Sequence, residues 1–180
     1  YCTPDGKSMR KAFIRTPVDF ARISSRFNLR RKHPVLHKIR AHKGTDYAAS
    51  RGTPIKATGD GKVIHAARKG GYGKAVIIQH GQKFTTLYAH MSKYARGVRT
   101  GKRVKQGQII GYIGSTGLAS GPHLHYEFRV NGVHKNSLKV KLPHAQPIPK
   151  KQLTDFKQQT HLYLSQLSTF SESYQLAANQ

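Results

Sequence analysis

Polar and apolar positions alternate strictly along GPHLHYEFRV, residues 121–130: Leu124, Tyr126 and Phe128 are separated by His123, His125 and Glu127. A period of two is that of a half-buried β-strand, whose successive side chains point to opposite faces. The pattern predicts a strand over His123–Val130, with the apolar three toward a core and the polar three sharing the other face. Shorter apolar segments predict strands over Gly61–Ala67, Ala75–Gln79, Phe84–His90 and Gln108–Ile113. Glycine-rich turns stand between them: TGDG at 58–61, GGYG at 70–73, HG at 80–81 and GSTG at 114–117. Turn signals at such close spacing point to an all-β domain.

No segment before residue 150 has a helical period. Pro143, Pro147 and Pro149 mark a linker. Beyond it Leu153, Phe156, Leu164, Leu167 and Phe170 fall roughly on one face of a helix, which predicts a C-terminal helical tail packed on a neighbour, its last ten residues disordered. The expected organisation is therefore residues 1–22 as the end of an upstream domain or linker, 23–142 as the folded domain, and 143–180 as a Pro-containing linker and helix or tail.

Composition and termini change this picture in four ways. Apolar runs are short, Ala75–Ile78 for instance, so no transmembrane helix fits within this stretch. The chain opens on Tyr1 with no signal peptide visible, which reads as a fragment or processed product whose export signal or anchor lies upstream. A single cysteine, Cys2, excludes an internal disulfide and a Cys-rich zinc site. The net charge is +25, from 32 Lys and Arg against 7 Asp and Glu. Such a chain adheres to polyanions. No helix-turn-helix, zinc-finger or RNA-binding signature is present, so nucleic acid is not expected. An anionic cell-wall polymer, a membrane surface and a plain solvated face all remain open.

The seven acids exclude little by number but much by placement: only Asp46 and Glu127 lie in promising contexts, and each sits with histidines. The Gly-x-Ser-x-Gly elbow and the phosphate-binding Gly-x-x-x-x-Gly-Lys-Ser/Thr loop are absent. Histidine stands out in three places: HKGTD (His42 to Asp46), TLYAHMS with His90 ending an apolar strand, and the pair His123/His125. A His and an Asp four apart across a turn can converge on one metal. In a strand, two residues span roughly 6.6 Å. One imidazole of the pair can then hold a metal at about 2.0 Å while the other reaches a water beside it. Two His and one Asp suit zinc, and three protein ligands leave an open position, the layout of a catalytic site. With zinc lowering the pKa of water to roughly 7, hydrolysis follows. His-Glu-x-x-His is missing, and the remaining histidines can take the place of its glutamate as proton carriers.

These residues, in this order, resemble the lysostaphin-type, or LytM-domain, zinc metallopeptidases that cleave peptidoglycan peptides. The resemblance runs from about Ile23 to Leu142 through ISSRFNLRR, HKGTDYAASRGTPIKATGDGKV, GYGKAVIIQHG, TTLYAHMS, GQIIGYIGSTG and SGPHLHYEF. It implies a twisted antiparallel β-sheet with an active-site groove. It implies zinc ligands at His42, Asp46 and His125, and a catalytic pair at His90 and His123. TPVDFARISSRFN and the later KLP resemble Gram-negative MepM-type murein endopeptidases. These imply cleavage of the D-alanyl to meso-diaminopimelyl cross-link between stem peptides, a periplasmic or cell-envelope location, and an upstream regulatory domain or adaptor. The alternative within the resemblance is a non-catalytic LytM-domain module that activates another wall hydrolase. Glu127 is open between orienting a ligand histidine and lying on a polar face, and Tyr88 between groove and core. His33, His37, His65, His80, His134, His144 and His161 are expected in turns or on the surface. Arg22, Arg26, Arg30, Arg31, Lys32, Lys38, Arg40 and Lys43 crowd around the approach to HKGTD, as a grip on an anionic wall or a solvated face.

Overall fold

The computed structural model describes residues 2–30, 41–145 and 147–178. Arg31, Lys32, Lys38 and Arg40 of the basic run, with His33 and His37, lie outside the described residues. The strands in chain order are β1 (Arg22–Ser25), β2 (Thr45–Ala48), β3 (Pro54–Lys56), β4 (Gly61–Arg68), β5 (Lys74–His80), β6 (Phe84–Ala89), β7 (Met91–Tyr94), β8 (Arg103–Val104), β9 (Ile109–Ile113), β10 (His123–Val130) and β11 (Val133–Lys135). They form antiparallel sheets. The larger has the order β1-β2-β10-β6-β5-β4-β8, with β11 also on β10; the smaller is β3-β9-β7. The only α-helix among the described residues is α1 (Lys150–Ala178). The fold is thus mostly β with one C-terminal helix. The strand expected over His123–Val130 is found with those bounds.

Strand β5 carries the unbroken apolar run Ala75–Ile78, and all four residues are buried. A strand apolar on both faces belongs inside a sheet with both faces covered, and β5 does lie between β4 and β6. Residues directly opposite on paired strands share a face. The register puts Asp46, His125 and Ala89 on one face and Thr45, Tyr126, Tyr88 and Val76 on the other. On the first face Ala75, Ile77, Leu87 and Ala89 pack together beneath Tyr72. On the second, Tyr88 and Tyr126 are buried with ring centroids 5.3 Å apart. Each such side chain contributes roughly 1.5–3 kcal/mol by leaving water. Tyr88 is therefore a core residue and not part of the groove. Its hydroxyl accepts from the Thr58 amide at 2.8 Å.

His80 departs from the expected surface position. It is buried, with Nδ1 2.8 Å from the Asp60 carbonyl and Nε2 2.8 Å from Thr86 Oγ1. Phe13 packs edge-on against it at 4.9 Å and also against Phe84 and Phe128. Both ring nitrogens find partners indoors, which is what a buried imidazole requires. Burial pushes its pKa below the ordinary value. Residues 13–142 form one compact unit, and residues 1–12 with 143–180 form another.

In the second unit the backbone of Gly6, at φ +83°, lies against Leu153. Leu153 and Phe156 are half-buried, but Leu162, Tyr163, Leu164, Leu167 and Phe170 are exposed along α1. The expected packing of the helix is confined, among the described residues, to its first turns. The helix also continues to Ala178, through most of the segment expected to be disordered. It is not apolar enough to cross a membrane, nor is any other described helix.

Candidate metal centre

HKGTD positions two polar groups by local means. The backbones of His42 and Asn28 exchange hydrogen bonds of 2.8 and 3.0 Å, holding His42 just ahead of β2. Gly44 then passes against β10. A Cβ there would stand 2.6 Å from the Tyr126 carbonyl and 2.7 Å from the His125 ring, so only glycine fits. Asp46 follows on β2, directly opposite His125 of β10. Asp46 Oδ1 lies 3.0 Å from His42 Nε2 and 2.8 Å from His125 Nδ1, and the two nitrogens are 3.3 Å apart. Tetrahedral coordination with bonds near 2.0–2.1 Å places ligand atoms about 3.3 Å apart. The three side chains therefore fit a small divalent cation, and they are the described residues that can hold one.

Hydrogen-bond partners assign the imidazole tautomers. His42 Nδ1 donates to the Arg26 carbonyl at 2.8 Å, with Ser25 Oγ at 3.2 Å. Its Nε2 lone pair then faces inward. His125 Nε2 lies 3.2 Å from Glu127 Oε1, which leaves Nδ1 bare toward Asp46. Two nitrogen lone pairs and a carboxylate oxygen thus converge with no donor among them, an arrangement that calls for a cation. Without one a proton takes its place. Burial opposes charging His125, but Asp46 and Glu127 outweigh it and raise its pKa to about 9. Burial likewise opposes ionising Asp46, and the neighbouring His125 and His42 rings hold its carboxyl well below the usual range.

Glu127 is fully buried and none of its oxygens is idle. Oε1 accepts from the Tyr72 hydroxyl at 2.7 Å and from His125; Oε2 accepts from Arg129 Nε at 3.0 Å and from Arg129 Nη2, with His134 Nε2 at 3.0 Å. Burial would raise its pKa, but these partners lower it to about 2, so it is an anion. Burial, then the bond to Glu127, raises the Tyr72 hydroxyl to about 12. A carboxylate behind a ligand histidine raises ligand basicity and fixes the ring. Glu127→Gln, which keeps shape and removes charge, is expected to weaken binding of a divalent cation about 10–100-fold by calorimetric titration. Unchanged affinity would show that Glu127 merely fills space.

His90 and His123 border the same cleft, about 480 Å³ in volume, together with Tyr72 and Leu118. Their rings are 4.6 Å apart, and His90 stands 6.1 Å from His125. His90 stands between β6 and β7 at φ +62°, where the chain leaves one ladder for the other. Its amide donates to the Tyr72 carbonyl at 2.9 Å, and its Nδ1 to the Thr116 carbonyl at 2.8 Å. His123 Nδ1 donates to the Gly121 carbonyl at 2.9 Å. Each ring is left with an Nε2 that has no hydrogen-bond partner among the described residues. Burial lowers the pKa of His90, which keeps it neutral near pH 7. The Tyr72 loop and the Thr116 loop touch backbone to backbone. A Cβ on Gly73, at φ +64°, would stand 2.2 Å from the Thr116 carbonyl.

All five residues singled out in the sequence thus line one cleft. Four that were not singled out also matter: Tyr72, Arg129, His134 and Thr116. GGYG, expected as a turn, contains a 3-10 helix over Gly70–Tyr72, and GSTG lies in the loop between β9 and β10. Their juxtaposition across the cleft is what sequence spacing did not show.

Residues 40–137 match peptidase family M23. The full chain is 48% identical to peptidoglycan DD-endopeptidase ShyC of Vibrio cholerae, of which it spans 41%. Over 77% of its length it is 47% identical to DD-carboxypeptidase/endopeptidase Mpg of Neisseria meningitidis, covering 32% of that protein. The crystal structure of a zinc-containing peptidase from Vibrio cholerae superposes with a TM-score of 0.70 at 39% identity, over 79% of this chain and 46% of that one. The catalytic domain of lysostaphin from Staphylococcus simulans gives 0.56 at 30% identity, over 64% and 88%. The chain therefore spans less than half the length of the curated relatives it matches. With the His42, Asp46 and His125 cluster on a matching antiparallel sheet, the chain belongs to peptidase family M23.

Proposed function

We propose that this chain is the catalytic part of a zinc-dependent endopeptidase that hydrolyses peptide cross-links of peptidoglycan, at D-alanyl–meso-diaminopimelyl bonds, in the periplasm or cell envelope. The observation that carries the reading is the convergence of His42 Nε2, Asp46 Oδ1 and His125 Nδ1 beside two histidines whose Nε2 atoms have no partner among the described residues. The names of the relatives supply the substrate class. The regulatory upstream domain or adaptor expected from the sequence belongs to the same proposal.

In this reading His42, Asp46 and His125 hold zinc, which when bound supplies a Lewis acid to polarise a carbonyl and lower the pKa of water to roughly 7. His90 and His123 handle protons. The Thr116 and Gly121 carbonyls fix their protons on Nδ1, so each Nε2 can take a proton from the attacking water and return it to the leaving amine. Burial keeps His90 neutral and competent for this. Tyr72 and Leu118 border the cleft where the peptide lies.

The test is digestion of purified cross-linked muropeptides followed by mass spectrometry. Monomeric products cut between D-alanine and meso-diaminopimelate are expected with zinc present, and none after chelation. Intact dimers in every condition would point to the non-catalytic alternative.

A further inference from the structure

The metal centre uses one end of the larger sheet; the other end carries a concentration of charge with no role in it. From Arg96 to Lys105 the chain has five cations (Arg96, Arg99, Lys102, Arg103, Lys105) and no acid. Arg103 lies on β8 directly opposite Lys62 of β4. The turn before it is folded onto the same strand, with the Val63 amide donating to the Lys102 carbonyl and the Gly101 amide to the Val63 carbonyl, both at 2.8 Å. Lys62, Arg99, Lys102, Arg103 and Lys105 are all exposed. Among the described residues none has a carboxylate partner. Asp60, two residues before Lys62, accepts from the Gln106 amide.

Like charges placed directly opposite on neighbouring strands are destabilising. Lysine on an edge strand ordinarily serves to deter pairing with other chains. That explanation is weak here, because β8 is two residues long and too short to template a sheet. The arrangement instead suits an anionic ligand. The apolar residues of the segment, Val98 and Val104, are buried, so it presents charge without a side chain to insert into a membrane. It also lacks an aromatic residue on which bases could stack. Five strand spacings separate β2 from β8, about 24 Å. One stem peptide in the cleft does not span that distance comfortably, whereas neighbouring repeats of the same polymer do.

We infer that Lys62, Arg99, Lys102, Arg103 and Lys105 form a basic track that grips the carboxylates of a wall polymer at a distance from the cleft. The inference rests on the cell-wall reading above. Tethering of this kind raises the local concentration of scissile bonds without adding a contact at the reacting atoms.

The experiment is co-sedimentation of the full chain with purified peptidoglycan sacculi over a range of salt. One variant combines Lys62→Glu, Arg99→Glu, Lys102→Glu and Arg103→Glu. A control combines Lys139→Glu, Lys141→Glu, Lys151→Glu and Lys157→Glu, for the same change in net charge. Thermal unfolding verifies that both are folded, and a Gln version of the track variant is measured beside them. The track variant is expected to bind sacculi about tenfold more weakly or worse at low salt, with a shallower salt dependence, and the control to stay within about threefold of wild type. Track and Gln variants that bind like wild type, or a control that loses as much, would overturn the track. Tighter binding of the wild-type chain to duplex DNA or to phosphatidylglycerol vesicles than to sacculi at equal salt would overturn the polymer assigned to it. Sedimentation needs no cleavage, so an inactive chain that still binds through the track would count against the proposed activity alone.

Discussion

His125→Ala is expected to yield a folded chain that retains no divalent cation and turns over cross-linked muropeptides at least about a thousandfold more slowly. His125 is the group on which the site's two strands meet: it stands opposite Asp46 across the β2–β10 ladder and takes Glu127 from its own strand. Removing it leaves His42 and Asp46, too few donors to hold a zinc ion in closed coordination. A bound metal contributes several kcal/mol to charge stabilisation, and each 1.36 kcal/mol is tenfold in rate. Metal content by mass spectrometry and turnover should fall together. Retained metal with retained turnover would remove His125 from the centre.

His123→Ala should separate chemistry from metal binding. Its Nδ1 is held locally by the Gly121 carbonyl and none of its contacts reaches Asp46 or His42, so the cluster is expected to keep its cation. A positioned proton carrier contributes typically 10²–10⁴-fold, and kcat should drop by that amount with metal stoichiometry unchanged. His90 is a poorer probe, because its left-handed backbone and its bonds to Tyr72 and Thr116 also shape the cleft wall. A His123→Ala chain with wild-type kcat would place proton transfer on His90 alone.

How much of this was legible beforehand depended on range. The alternation in HLHYEFRV is local, and it delivered both the bounds of β10 and the division of its faces. HKGTD is local as well, and Gly44 in it is there for space against His125. The strands that escaped notice, β1, β2, β3, β7, β8 and β11, are two to four residues long. A period of two cannot declare itself over so few positions; these segments are strands because longer neighbours hold them. His80 was misplaced for a related reason. Its sequence neighbours spell a turn, while its partners, Phe13, Asp60 and Thr86, come from other parts of the chain.

Glu127 shows the same divide within the site. Its strand face followed from the alternation, but a carboxylate on that face can serve a histidine or only meet water. Arg129 two residues on, His134 across the hairpin and Tyr72 from a distant loop decided between these by surrounding it with donors. The amino-acid sequence by itself determined the chemistry available: which residues can bind a cation, which can carry protons, and that the frame is β. Only the tertiary structure decided which lone pairs meet, because strand register and loop contact join residues up to 83 positions apart. Hydrogen bonding from behind then sets each imidazole's tautomer, and no spacing along the chain encodes that.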